Sequence, residues 1–131
     1  MSVGITGIHH LKIPVSDLEQ SRAWYERVLG LHVRQEFSDG DGVVRGVAGD
    51  IGGVPVALRQ NPATAAGLSG FDPICFAIAD RAAAEGWVDR LDDLGVDHSS
   101  VGQGSQGWVV RVQDPDGIEI RLYSTDSPYS G

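Results

Sequence analysis

Cysteine is nearly absent. Cys75 stands alone in a chain of 131 residues, which rules out an internal disulfide and a cysteine-built zinc site and points to a reducing, cytoplasmic setting. Long hydrophobic runs are missing too: none approaches the roughly 18 residues of a membrane span. Met1-Ser2-Val3-Gly4 opens no signal peptide. Positive charge is scarce, with 10 Lys and Arg against 18 Asp and Glu for a formal net of −8. That balance argues against nucleic acid, which wants a basic stripe, and against an anionic membrane surface. Aromatics are few, yet nine of them within a hydrophobic content of 41% are too many for a disordered chain. The length suits one domain with its own core.

What the chain does have is an internal repeat. Ile13-Pro14-Val15-Ser16-Asp17 matches Phe76-Ala77-Ile78-Ala79-Asp80: an apolar-alternating strand ending at an Asp. Seven residues after each Asp stands a Trp, Trp24 and Trp87, and each helical run closes on Leu-Gly, Leu29-Gly30 and Leu94-Gly95. Ser16-Asp17-Leu18-Glu19 reads as a capping box with Ser16 as the cap, and Asp80 reads as the cap of the second helix. Gly30 and Gly95 supply the left-handed stop. Both Trp residues read as core anchors.

Strands fill the intervals: 31–37, then a turn at Asp39-Gly40-Asp41-Gly42, then 43–50 and 54–60. A linker, 62–70, separates the copies. The second copy offers a strand at 74–78, a weak one at 96–101, a glycine-rich loop that reads as a mobile rim, and strands at 108–112 and 118–123 joined by the Asp114-Pro115-Asp116-Gly117 turn. Each copy therefore reads β-α-β-β-β. The expected fold is α+β: two such modules forming a curved mixed sheet with helices outside and a cleft inside. Module one covers about 5–61 and module two about 71–125, with a tail at 126–131.

Strand parity assigns faces. His9, Ile13 and Val15 take the helix side, so His10 and Lys12 face the cleft. Ile74, Phe76 and Ile78 pack under the second helix, which turns Pro73 and Cys75 inward. Ile118, Ile120 and Leu122 are core, leaving Glu119, Arg121 and Tyr123 in the cleft, with Arg111 on the neighbouring strand. Lys12, Arg111 and Arg121 would give a cationic floor suited to a carboxylate, phosphate or enolate. The competing reading is a structural pair between Glu119 and one of the arginines.

The run from His10 through Asp17-Leu18, Trp24-Tyr25 and Leu29-Gly30-Leu31, together with Asp114-Pro115-Asp116-Gly117-Ile118-Glu119-Ile120, resembles the vicinal oxygen chelate superfamily. That group covers glyoxalase I, bleomycin-resistance-type binding proteins, fosfomycin-resistance transferases and extradiol dioxygenases. The resemblance implies the paired-module fold and a homodimer. It also implies four inward metal-ligand positions, which fall on His10, near Leu58 with Gln60 further along, on Pro73 and on Arg121. Only His10 matches a ligand type, and an arginine opposes a divalent cation, so no metal and no other cofactor is expected. Two functions stay open. One is a metal-free protein that binds a small, anionic organic ligand through His10, Lys12, Leu58, Gln60, Pro73, Arg111, Arg121 and Tyr123. The other is an enzyme of lyase, isomerase or dioxygenase type, in which His10 and Glu119 move protons or an atypical metal sits on His10, Gln60 and Glu119.

Overall fold

The computed structural model describes residues 3–126; most of the expected tail, 127–131, lies outside the described residues. Contacts divide the chain into two compact units, residues 1–65 and 66–131. Within the first unit, β1 (Leu11–Val15) leads into α1 (Leu18–Trp24), followed by β2 (His32–Ser38), β3 (Val44–Ile51) and β4 (Val54–Gln60). After a short helix, α2 (Pro62–Leu68), the second unit runs β5 (Ile74–Ile78), α3 (Arg81–Asp93), β6 (Gly102–Gln103), β7 (Trp108–Gln113) and β8 (Glu119–Ser124). The two sheets have the same order, β1-β4-β3-β2 and β5-β8-β7-β6. In each, the first strand pairs parallel with the last and the others run antiparallel. The repeat read from the sequence is thus a repeat of topology. In hydrogen-bonding terms it gives two four-stranded sheets in place of the single sheet expected.

Each helix starts where a strand runs out, and the same chemistry starts both. The Asp17 carboxylate accepts from the Gln20 amide at 3.1 Å, and the Asp80 carboxylate accepts from the Ala83 amide at 2.9 Å. The first cap is therefore Asp17 and not Ser16: Asp17 is the residue in extended conformation (φ −135°) one position before the helix. Downstream of α1 the chain widens into a π-helical turn, Tyr25–Leu29, which Gly30 ends at φ 75°. This turn buries Tyr25 completely and leaves Trp24 half-buried beside it, with the rings edge-to-face at 4.9 Å. The anchor of the first helix is the tyrosine. Trp87 in α3 is likewise half-buried, with the Arg90 guanidinium 5.6 Å from its ring centre.

The cores follow the predicted parity. Ile13, Val15, Val47, Val56 and Leu58 are buried on the face that α1 covers. Ile74, Phe76, Val110, Val112, Ile120 and Leu122 do the same in the second unit, where α3 packs on β7 and β8. The opposite face of each sheet carries no helix of its own unit.

Two segments differ from expectation. The stretch 62–70 contains a helix because Asn61 caps it, its carbonyl side chain accepting from the Thr64 amide at 3.1 Å, and Pro62 occupies the first turn where its missing N–H costs nothing. The stretch 96–101 forms only one isolated bridge, His98 to Val112. Its place beside β7 is held largely by Ser99, whose backbone amide donates to the Arg111 carbonyl and whose Oγ accepts from the Arg111 amide at 2.9 Å. The following glycine loop is tightly packed: a Cβ on Gly104 would collide with the Tyr123 hydroxyl, and one on Gly107 with the Ser124 carbonyl. Its glycines are therefore required by close packing at these two positions. None of the helices among the described residues is long and apolar enough to cross a membrane.

Candidate functional site

The uncovered face of the first sheet can be laid out from its register. One cross-strand row reads Lys12, Ala57, Ala48, Gln35; the next reads Pro14, Arg59, Gly46, Phe37. The middle of both rows is built from alanine and glycine on β3, with Ala57 on β4, so the sheet has a floor without bulk between taller flanks. That floor is hollow: a cavity of about 640 Å³ opens on it, lined by His9, His10 and Lys12 on one side and Phe37 and Gln35 on the other, with Arg59 beside them. A volume of this size suits a small organic molecule. Phe37 keeps 47% of its surface exposed, a large aromatic side chain left open to the trough.

Charge in the trough runs against the charge of the chain. Its lining contains three permanent cations, Lys12, Arg45 and Arg59, and one carboxylate, Asp39. Asp39 is already engaged. Its carboxylate accepts from Arg45 Nε at 3.1 Å and from the Asp41 and Val43 amides, which hold its pKa below the usual carboxylate range. Neither Lys12 nor Arg59 has an ion-pair partner among the described residues. At the trough's edge, His9 and His10 face one another through their Nδ1 atoms at 2.9 Å, so one ring donates and the other accepts. Both are exposed. His9 precedes β1, where strand alternation no longer applies, and it does not pack in the core as parity suggests.

The candidates named from sequence divide between the two units. His10 and Lys12 line the trough. Leu58 borders the cavity although it lies opposite Ile13 on the helix-covered row with 1% exposure, and Gln60 Oε1 accepts from the Leu18 amide at 3.0 Å, fastening the start of α1 to the end of β4. The β4 residues that do share the face of Lys12 are Ala57 and Arg59. Their signal was present in the apolar alternation of Val54, Val56 and Leu58, which leaves Ala57 and Arg59 on the other side.

In the second unit, Pro73 is exposed just ahead of β5. Cys75, Arg121 and Arg111 form one cross-strand row on the open face, and Tyr123 lies on the next row beside Val109. Arg121 already has two acidic partners. Its Nε donates to Glu119 at 2.8 Å and lies 3.2 Å from the Asp72 carboxylate, and these two acids raise its pKa. Glu119 and Arg121 form the structural pair that the sequence offered as the competing reading. Burial pushes the Cys75 thiol up, and Arg121 opposes that only in part. Glu119 is bound to Arg121, and Gln60 accepts from the Leu18 amide. Among the described residues no cluster of three or more His, Cys, Asp or Glu side chains could hold a metal. The four positions carried over from the resemblance supply one imidazole, one buried leucine, one proline and one arginine already bonded to two acids, and these do not fit a divalent cation.

Comparison with known proteins agrees with this architecture. The profile of the Glyoxalase/Bleomycin resistance protein/Dioxygenase superfamily matches residues 7–122. No curated protein matches the chain. Among solved structures it is similar to a glyoxylase/bleomycin resistance protein/dioxygenase domain from Frankia sp. EAN1pec, at 22% identity and TM-score 0.75 over 94% of this chain and 100% of that one. It is similar to the fosfomycin resistance protein FosX from Listeria monocytogenes, at 18% identity and TM-score 0.76 over 94% and 96%. It also resembles TnmS3, an antibiotic binding protein from Streptomyces sp. CB03234, at 19% identity and TM-score 0.74 over 95% and 100%. At these identities the likeness establishes the fold.

Proposed function

The chain belongs to the Glyoxalase/Bleomycin resistance protein/Dioxygenase superfamily, and from that premise we propose that it binds a small organic anion in the trough of its first unit, without a metal of the family type. One observation carries the reading: the trough holds three cations against one carboxylate in a chain of net charge −8. Two of those cations lack a carboxylate partner among the described residues, so a ligand anion would meet unneutralised charge. TnmS3, an antibiotic binding protein on the same fold, is a precedent for binding as the activity. Of the cations that sequence parity put in the cleft, Lys12, Arg111 and Arg121, Lys12 stays as the anion contact and Arg59 joins it.

The test compares organic acids with the amides and amines of the same scaffolds by thermal shift and calorimetry. Preferential stabilisation by the acids is expected; a preference for the amines overturns the reading. Metal analysis of protein purified without a His tag should return far less than one equivalent, and one tightly held equivalent would sink the metal-free part.

An enzymatic reading rests on His10, which sits at the trough with a hydrogen-bonded imidazole neighbour in His9. General acid–base catalysis by His10 requires a bound substrate proton within about 3 Å. Consumption of a bound acid that His10→Ala abolishes, with binding intact, would decide for it. We further propose a cytoplasmic homodimer. Val3, Ile5 and Ile8 are 97%, 94% and 74% exposed, apolar surface that a second copy would cover. Light scattering on the triple serine variant checks it; a wild-type monomer overturns it.

A further inference from the structure

We infer that the ligand of the trough is an aromatic carboxylate, with its ring lying on the alanine–glycine floor against Phe37 and its acid group between Lys12 and Arg59. This rests on the reading of the trough as the ligand site and names the chemistry it takes. Three features carry it, each independent of the others.

The first is the floor. Gly46, Ala48 and Ala57 occupy adjacent positions on two neighbouring strands, all on the uncovered face. With no side-chain atom beyond Cβ, Ala48 and Ala57 present a flat, half-buried patch of methyl groups, and Gly46 beside them is buried next to the Phe37 side chain. A planar ring fits such a surface at van der Waals distance over its whole area, whereas a puckered or branched skeleton touches it at a few atoms. A Cβ at Gly46 would come within 3.2 Å of the Leu58 carbonyl and 3.8 Å of the Phe37 ring, so added bulk there would crowd the neighbouring strand.

The second is the placement of the aromatic and the cations on opposite sides of the floor. Phe37 lies on β2 and Arg59 on β4, with Gly46 of β3 directly between them. Two strand spacings separate them, about 10 Å. Lys12 on β1 is the diagonal neighbour of Arg59, pairing with Ala57 two residues earlier on β4. Both long side chains can reach one acid group, the guanidinium in its bidentate mode and the ammonium as a point charge. An acid held there points the rest of its molecule across the floor towards Phe37, whose half-exposed ring offers an edge or a face for stacking.

The third is size. A cavity of about 640 Å³ is far larger than a bare phosphate or acetate needs, so a compact inorganic anion would leave the floor and the phenyl ring uncovered. The cations select the charge, and the floor and Phe37 select the body that bears it.

The experiment measures binding of 2-naphthoate by calorimetry or ligand-observed NMR, beside 2-naphthalenemethanol (same rings, no charge), cyclohexanecarboxylate (same acid, no flat ring) and inorganic phosphate. Naphthoate is expected to bind at least about tenfold tighter than each of the three. Arg59→Met and Lys12→Met should each cost naphthoate about tenfold and leave the naphthalenemethanol affinity unchanged. Phe37→Ala should weaken both naphthyl compounds and spare cyclohexanecarboxylate. Naphthoate no tighter than cyclohexanecarboxylate overturns the aromatic part. Naphthoate no tighter than the alcohol, or phosphate binding tightest, overturns the class. Ala48→Leu, with its fold checked by circular dichroism and melting, separates this failure from failure of the site itself. If naphthoate binding survives an obstructed floor in a folded variant, the trough is not where ligands bind. Should the variant not fold, Ala57→Val repeats the obstruction with a smaller side chain. If Ala48→Leu abolishes binding of some other molecule that the wild type prefers, the trough stands and the aromatic carboxylate falls.

Discussion

The two units share strand order, strand direction and helix-capping residue, and they fill their open faces in opposite ways. Aligned through Asp17 and Asp80, Lys12 corresponds to Cys75, and the pairing registers carry the correspondence across each sheet. Ala57 corresponds to Arg121, Ala48 to Arg111, Arg59 to Tyr123 and Gly46 to Val109. Where the first unit has two methyl groups and a bare backbone, the second has two arginines and a valine, and Tyr123 stands in the place of Arg59. Where the first unit leaves cations without acids, the second ties Arg121 to Glu119 and Asp72. One scaffold appears twice, and side-chain volume at a few positions differs between the copies. A cavity in a sheet protein is set by what the central strands omit as much as by what its rim presents.

Exchanging residues between units tests this directly. The largest effect is expected for Ala57→Arg, which places the second unit's arginine on the first unit's floor. Its neighbours there would be His9 and Pro55 in place of Asp72 and Glu119, so the new guanidinium would find no acid and would occupy the trough. Uptake of organic acids should fall about 100-fold or more, measured by calorimetry on a variant whose circular dichroism is unchanged. Undiminished binding would break the comparison.

The reciprocal change, Arg121→Ala, should destabilise the second unit by about 1 kcal/mol, since the pairs it removes are about a third exposed and two acids are left facing one another. Urea unfolding measures that. Arg121 also holds the Cys75 thiol down against burial. Alkylation of Cys75 at fixed mildly alkaline pH should therefore slow in the variant; an unchanged rate would separate the thiol from the arginine.

A smaller effect concerns His98, whose counterpart by the Leu-Gly register is Val33. The His98 imidazole meets the Asp92 carboxylate at 2.6 Å through Nε2 and the Ser99 carbonyl through Nδ1, and these contacts, with Asp97 nearby, raise its pKa. Two acceptors favour the doubly protonated ring. The stabilisation is therefore complete below the unfolded histidine pKa, about 6.5, and is lost as pH rises through the higher folded value. His98→Val should lower the melting temperature more at pH 5 than at pH 9. An equal shift at both would show that the imidazole contributes packing alone.

The repeat, both helix stops and the core rows were legible because each rests on local chemistry: an Asp one residue before a helix, a glycine after it, alternation within a strand. Legibility failed where a side chain answered to a distant partner. The face of Leu58 and Gln60 is set by parallel pairing with β1, far away in sequence, although the alternation of β4 also carries it. The ionic fate of Arg121 depended on Asp72, a residue outside any regular strand. Alanine and glycine announce nothing as single letters. Ala48 and Ala57 become informative only once the register shows that they lie side by side with no helix of their own unit above them.

The parallel pairing of first strand with last has a consequence for how the protein comes to be folded. Leu11 meets Val56 and Ile74 meets Ile120, each closing a loop of about 45 residues. Strands β2 to β4 can zip together through short hairpins, whereas β1 has no hydrogen-bonding strand until β4 exists. On a ribosome, the segment bearing His10 and Lys12 would wait unpaired until the rest of its unit had emerged. The cationic end of the trough would then be the last part of that unit to form, and the slowest step of folding would be the one that assembles the site.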